Sequence, residues 1–86
     1  MPKKVNLYRV EWCPHCVRAK SFLDQMGIKY TDHDVESDDD AWHRAMSLTK
    51  GIDIVPVVEI DGNVVFGTFD SSFESKLRTH LQIMKK

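Results

Sequence analysis

The pattern of apolar residues predicts an α/β protein, a four-stranded mixed sheet flanked by three helices in the order β-α-β-α-β-β-α. Three observations carry this. Short runs rich in β-branched and aromatic residues alternate with longer stretches whose apolar residues recur at helical spacing. The pair Asp61-Gly62 separates two apolar runs, as the turn of a tight hairpin does. The opening strand-helix-strand order requires a right-handed crossover between parallel strands, to which the hairpin adds antiparallel neighbours.

Val5 to Val10 is rich in strand formers and short enough to be the first strand. Pro14 follows at a position suited to a first helical turn, where its missing N–H would have had no partner. Ala19, Phe22, Leu23 and Met26 then repeat at i, i+3, i+4 and i+7, and Gly27 is placed to end that helix. Ile28 to Val35 reads as the second strand, with Ile28 and Tyr30 on one face and acids alternating at Asp32, Asp34 and Glu36. From Asp38 to Thr49, Trp42, Ala45, Met46 and Thr49 fall on one helical stripe, with Ser37 and Asp40 spaced as a cap pair and Gly51 closing. Val55 to Ile60 and Asn63 to Phe66 are the hairpin strands. Ser71 and Glu74 form a capping box before Phe73, Leu77, Leu81 and Met84, the apolar stripe of a closing helix. A sheet covered on both faces accounts for the near-continuous apolar strands.

Length and charge narrow the function. A chain of 86 residues is expected to form one domain, residues 1–86, with one modest core and no room for a regulatory module. Twelve Lys and Arg against 13 Asp and Glu leave a charge of −1, which argues against a general nucleic-acid binder, since phosphate neutralisation needs a basic surface. No apolar run is long enough to span a membrane, and Met-Pro-Lys-Lys lacks the apolar stretch of a signal peptide. A cytoplasmic monomer that contacts neither membrane nor nucleic acid is the expectation.

The two cysteines stand together in Trp12-Cys13-Pro14-His15-Cys16. A disulfide between them closes a loop of four residues and stabilises by at most about 2 kcal/mol before strain. In a reducing compartment such a pair is reactive or metal-binding rather than a staple. Cys13 falls where a strand meets a helix, and the unpaired N–H groups and dipole of the helix start favour a thiolate. Cys16, one turn on, is tucked under the helix and suited to resolving a mixed disulfide. His15, if cationic, adds a charge beside Cys13 and makes the disulfide more oxidising; solvated filler is the competing reading. Zinc needs four ligands, and two Cys with His15, His33, His43 and His80 scattered do not supply them. Inert burial of both cysteines is the remaining alternative. The acids at 32, 34, 36 and 38–40 lack the glycine and distal glutamate of a calcium loop and fit a solvated strand edge and helix start, so no metal site is expected.

Cys13-Pro14-His15-Cys16 after the first strand, Val55-Pro56 at the third, and Gly67-Thr68-Phe69-Asp70 before the last helix together resemble the glutaredoxins, dithiol members of the thioredoxin fold. The resemblance spans essentially the whole chain, including Cys16-Val17-Arg18-Ala19-Lys20. It implies that Cys13 attacks a protein disulfide or a glutathionylated cysteine and that Cys16, or a second glutathione, releases the product. It further implies that Val55 pairs its backbone with glutathione beside a cis Pro56, and that Phe69 and Asp70 bind the γ-glutamyl end. A proline opening a strand and an aspartate capping a helix are the plainer roles for Pro56 and Asp70. Trp12 either shields the thiolate and meets a partner or packs over the helix start. Glutathione is thus the implied co-substrate, with no tightly bound cofactor.

The chain also departs from the family pattern. Thr68 and Ser71 stand where many glutaredoxins have a second Gly and a second Asp. Val10 stands where many carry a Lys for the glycyl carboxylate, and Ile54 replaces the Thr or Ser before Val-Pro, leaving Arg9, Arg44 or Lys50 to supply positive charge. The resemblance therefore leaves a rival, a redoxin reduced by thioredoxin reductase that donates electrons to ribonucleotide reductase. A non-catalytic adaptor or iron-sulfur-binding module is the alternative of another class, disfavoured by the second cysteine and the proline.

Overall fold

Seven elements follow one another along residues 4–81, the part of the chain that the computed structural model describes. They are β1 (Val5–Arg9), α1 (Pro14–Gln25), β2 (Thr31–Asp34), α2 (Asp39–Leu48), β3 (Val57–Ile60), β4 (Asn63–Phe66) and α3 (Ser71–Leu81). The sheet order is β2-β1-β3-β4. β1 runs parallel to β2, with Leu7 opposite Asp32, and antiparallel to β3, with Leu7 opposite Val58. The hairpin sets Val58 opposite Val65. This is the predicted α/β architecture, a thioredoxin-like fold. Asp61 and Gly62 both take positive φ, 48° and 88°, the turn conformation that an Asp-Gly pair favours between twisted strands.

Strand periodicity divides the interior in two. On one face Val5, Leu7, Val58, Ile60 and Val65 meet Ala19, Phe22 and Leu23 of α1 and Phe73 and Leu77 of α3. On the other Tyr8, Val10 and Val57 meet Ala41 and Ala45 of α2, together with Cys13, Cys16 and Val35. Each fully buried Leu or Ile contributes about 1.5–3 kcal/mol of transfer free energy. Leu7, Leu23, Ile60 and Leu77 all lie on the first face. The predicted Met84 of the closing stripe lies outside the described residues.

Several boundaries differ from the sequence expectation, each for a backbone reason. β2 starts at Thr31, not Ile28, because the chain is still closing α1 there. The Gly27 N–H donates to Asp24 O at 3.1 Å and the Ile28 N–H to Leu23 O at 3.0 Å, a paired closure around a left-handed Gly27. Ile28 and Tyr30 still pack on the core. α2 is capped by Asp38 rather than Ser37, its carboxylate accepting from the Ala41 N–H at 3.1 Å. α2 closes through two residues of positive φ, Lys50 (59°) and the expected Gly51 (89°), whose N–H donates to Met46 O at 2.8 Å. α3 is capped by Asp70, which accepts from the Phe73 N–H at 2.9 Å, while Glu74 pairs with Arg78 at 3.0 Å instead of folding back on Ser71.

Candidate active site

The site forms where β1 hands over to α1. Cys13 is the N-cap of α1 in an extended conformation, and its thiol makes no capping hydrogen bond. Pro14 at the helix start holds the next residue in register, and the Cys13 carbonyl accepts the first helical bond from the Val17 N–H at 3.1 Å. Cys16 falls one turn further in. The two thiols are free, with Cys13 8% and Cys16 1% exposed. Burial pushes the Cys16 thiol up to about 12, hydrogen bonding to the Val10 backbone opposes the rise, and the neighbouring Cys13 side chain adds to it. The inner sulfur is therefore held as a thiol while the outer one borders the surface.

Two further segments close around Cys13. The Val55–Pro56 bond is cis, and the Pro56 carbonyl accepts from the Gly67 N–H at 3.2 Å, which ties this loop to the 67–70 segment. Gly67 has φ 113° with Ile54 Cδ1 at 3.8 Å from where a Cβ would stand, so a side chain there would strain the backbone. Val55 packs against the cluster that holds both cysteines. Among the described residues its backbone N–H and C=O make no hydrogen bond. Phe69 packs on Phe22 and Phe73, with ring centroids 6.1 and 5.2 Å away. Asp70 spends Oδ1 on the helix cap.

His15 reaches the same segment. The Phe69 N–H donates to its Nδ1 at 3.3 Å. His15 acts here as a strut between the cysteine turn and the 67–70 segment.

Trp12 is 71% exposed, and its Nε1–H donates to Glu36 Oε2 at 2.8 Å. The ring therefore does not pack over the helix start; it borders a cavity of about 420 Å³ shared with Trp42, Val55, Glu36, Asp39 and Asp53. The sequence reading gives Trp42 to the helical stripe and Glu36 and Asp39 to a solvated strand edge and helix start, and it gives Asp53 no part. The cations considered for this region are engaged elsewhere. Arg9 makes a bidentate pair with Asp32 at 2.8 and 2.9 Å, and this hydrogen bonding holds the Asp32 carboxyl below the usual range. Arg44 pairs with Glu59 at 3.0 Å. Lys50 is exposed at the end of α2 and does not line the cavity. Among the described residues no three His, Cys, Asp or Glu side chains are arranged to hold a metal ion, and no helix is long and apolar enough to cross a membrane.

A Cys-x-x-Cys pair at the first helix of a thioredoxin-like sheet, facing a cis-proline loop, defines the thiol-disulfide redoxin class. Within that class, the glutaredoxin family pattern matches residues 5–65, and the chain belongs to the glutaredoxin family. It is 33% identical over 63 residues to an uncharacterized glutaredoxin-like 8.6 kDa protein of the rubredoxin operon of Clostridium pasteurianum, covering 73% of this chain and 83% of that one. It is 30% identical over 64 residues to a probable glutaredoxin of Synechocystis, covering 74% of this chain but only 59% of the relative's length. Among solved structures it resembles the thioredoxin-like protein BC3987, with TM-score 0.78 and 33% identity over 91% of this chain and all of that one. It also resembles a buckwheat glutaredoxin-glutathione complex, with TM-score 0.69 and 27% identity over 93% of this chain and 74% of that one.

Proposed function

We propose that this chain is a thiol-disulfide oxidoreductase that reduces protein disulfides or glutathione mixed disulfides, with glutathione as its reductant. The observation that carries the reading is the pair of free thiols one helical turn apart, Cys13 at the helix start and Cys16 behind it, beside the unpaired backbone of Val55. The Cys13 thiolate attacks one sulfur of the substrate disulfide and the other sulfur leaves as a thiolate. Cys16, losing its proton as it attacks, displaces the second substrate thiol, leaving a Cys13–Cys16 disulfide and a substrate reduced by two electrons. Two glutathione molecules, oxidised to their disulfide, return the chain to the dithiol. The unpaired N–H and C=O of Val55 suit an extended substrate strand laid antiparallel across the loop. Phe69 and Asp70 at the start of α3 suit the γ-glutamyl end of glutathione, and the complex of the related buckwheat glutaredoxin supports that ligand.

One observation favours a second reading, in which thioredoxin reductase is the donor: no Lys or Arg lines the cavity between Trp12, Trp42 and Val55. The test is turnover of a glutathionylated peptide with glutathione and glutathione reductase in one cuvette and thioredoxin reductase in another. Turnover in the first is expected. Cys13→Ser should abolish it, and Cys16→Ser should retain it while losing reduction of protein disulfides. Turnover in the second cuvette alone would reassign the electron donor.

A further inference from the structure

We propose that the cavity beside Cys13 receives the cationic side chain of a Lys or Arg adjacent to the attacked cysteine in a partner polypeptide. This rests on the oxidoreductase reading and names the substrate class for that site. Its walls are two indoles, Trp12 and Trp42, and its charged groups are all carboxylates, Glu36, Asp39 and Asp53. The cavity borders the cluster that contains Cys13, since Val10 and Val35 of that cluster line it and Trp42 and Val55 pack against it. At about 420 Å³ it has room for one long side chain.

The neighbouring structure does not account for these features. Asp39 lies in the first turn of α2, where the helix dipole favours an acid in any case, but Asp53 lies in the loop before the cis proline and has no such reason. Neither makes an ion pair or hydrogen bond among the described residues. Glu36 holds the Trp12 indole by its N–H, which leaves a large apolar face open to solvent at the rim. An aromatic face held beside unpaired carboxylates, with no cation of the chain's own lining the cavity, is complementary to an ammonium or guanidinium group. A carboxylate placed here would instead meet three like charges. Because the whole chain carries only −1, any strong preference for a cationic substrate must come from this local group rather than from general attraction.

The test uses the reduced full-length chain and three peptides that share one intramolecular disulfide and differ only in the residue after the attacked cysteine, Lys, Ala or Glu. Rates of reduction are followed by stopped flow. The Lys peptide should react about tenfold faster than the Glu peptide at low ionic strength, with Ala between, and the ratio should shrink at about 0.5 M salt. Asp39→Asn combined with Asp53→Asn should bring the Lys-to-Glu ratio close to one. Equal rates for the Lys and Glu peptides, or a ratio that survives both substitutions, overturns the proposal. Should the double variant fail to fold, a salt-insensitive ratio in the unaltered chain overturns it equally. The neutral disulfide of 2-mercaptoethanol separates the two levels. Its reduction without any charge preference among the peptides overturns the cavity proposal alone, whereas failure to reduce it overturns the oxidoreductase reading as well.

Discussion

The two faces of the sheet are built from different materials. Beneath α1 and α3 the contacts are between large side chains, Leu7, Leu23, Ile60 and Leu77 with Phe22 and Phe73. Beneath α2 the helix contributes Ala41 and Ala45, which meet the two cysteines, Val10, Val35, Val57 and one large ring, Tyr8. Two openings border the α2 side of the sheet. One is the cavity between Trp12, Trp42 and Val55; the other, of about 270 Å³, is lined by polar groups including Asn6, His33, Arg44 and Glu59. Chemistry is thus located on the face that contributes less to holding the fold, where open space costs least.

The largest test of that division is Leu23→Ala, which should cost about 2–5 kcal/mol of stability. Ala45→Gly on the α2 face should cost about 1 kcal/mol. Urea denaturation of the reduced chain measures both, and similar losses would break the comparison. The next effect is alkaline. Burial raises the Cys16 thiol above its ordinary 9.0 to about 12, so the folded state holds that proton more tightly than the unfolded chain does. Its contribution is complete below about pH 9 and is lost as pH rises towards 12. Tyr8, on the same face and also raised by burial, acts in the same direction. Thermal melts of the reduced chain should fall more steeply over that interval than those of Cys16→Ala; parallel curves would remove the inner thiol from the account. Smallest are the caps, where Asp38→Ala and Asp70→Ala should each cost about 1 kcal/mol by the same urea assay. A loss at Asp38 much above that at Asp70 would mean that α2 depends on its cap more than α3, as a face with less packing requires.

Most of the architecture was legible because it rests on local chemistry. Alternating strands, the Asp61-Gly62 turn and Pro14 at a helix start each need only neighbouring residues to be read. The α2 cap was misplaced by one residue because Ser37 adjoins an aspartate that serves as well, and only backbone direction decides which side chain faces the free N–H groups; at α3 the sequence offers both Ser71 and Asp70, and Asp70 caps. The bond between His15 and Phe69 spans 54 positions, and a contact of that separation leaves no mark on either local pattern. The same applies to the acids of the cavity. Glu36 and Asp39 belonged to a run that reads as solvated helix start, and Asp53 lies beyond α2 with nothing in its spacing to join them.

The acidic second strand has a consequence of its own. β2 is an outer strand of the sheet, four residues long, and one side of its backbone has no strand beside it. A bare row of amides is a template on which another chain can assemble. Here Asp32 and Asp34 punctuate that row, so a second copy approaching edge to edge would bring its own carboxylates against these before any ladder could form. The acids that keep this rim solvated also oppose growth of the sheet from one molecule into the next.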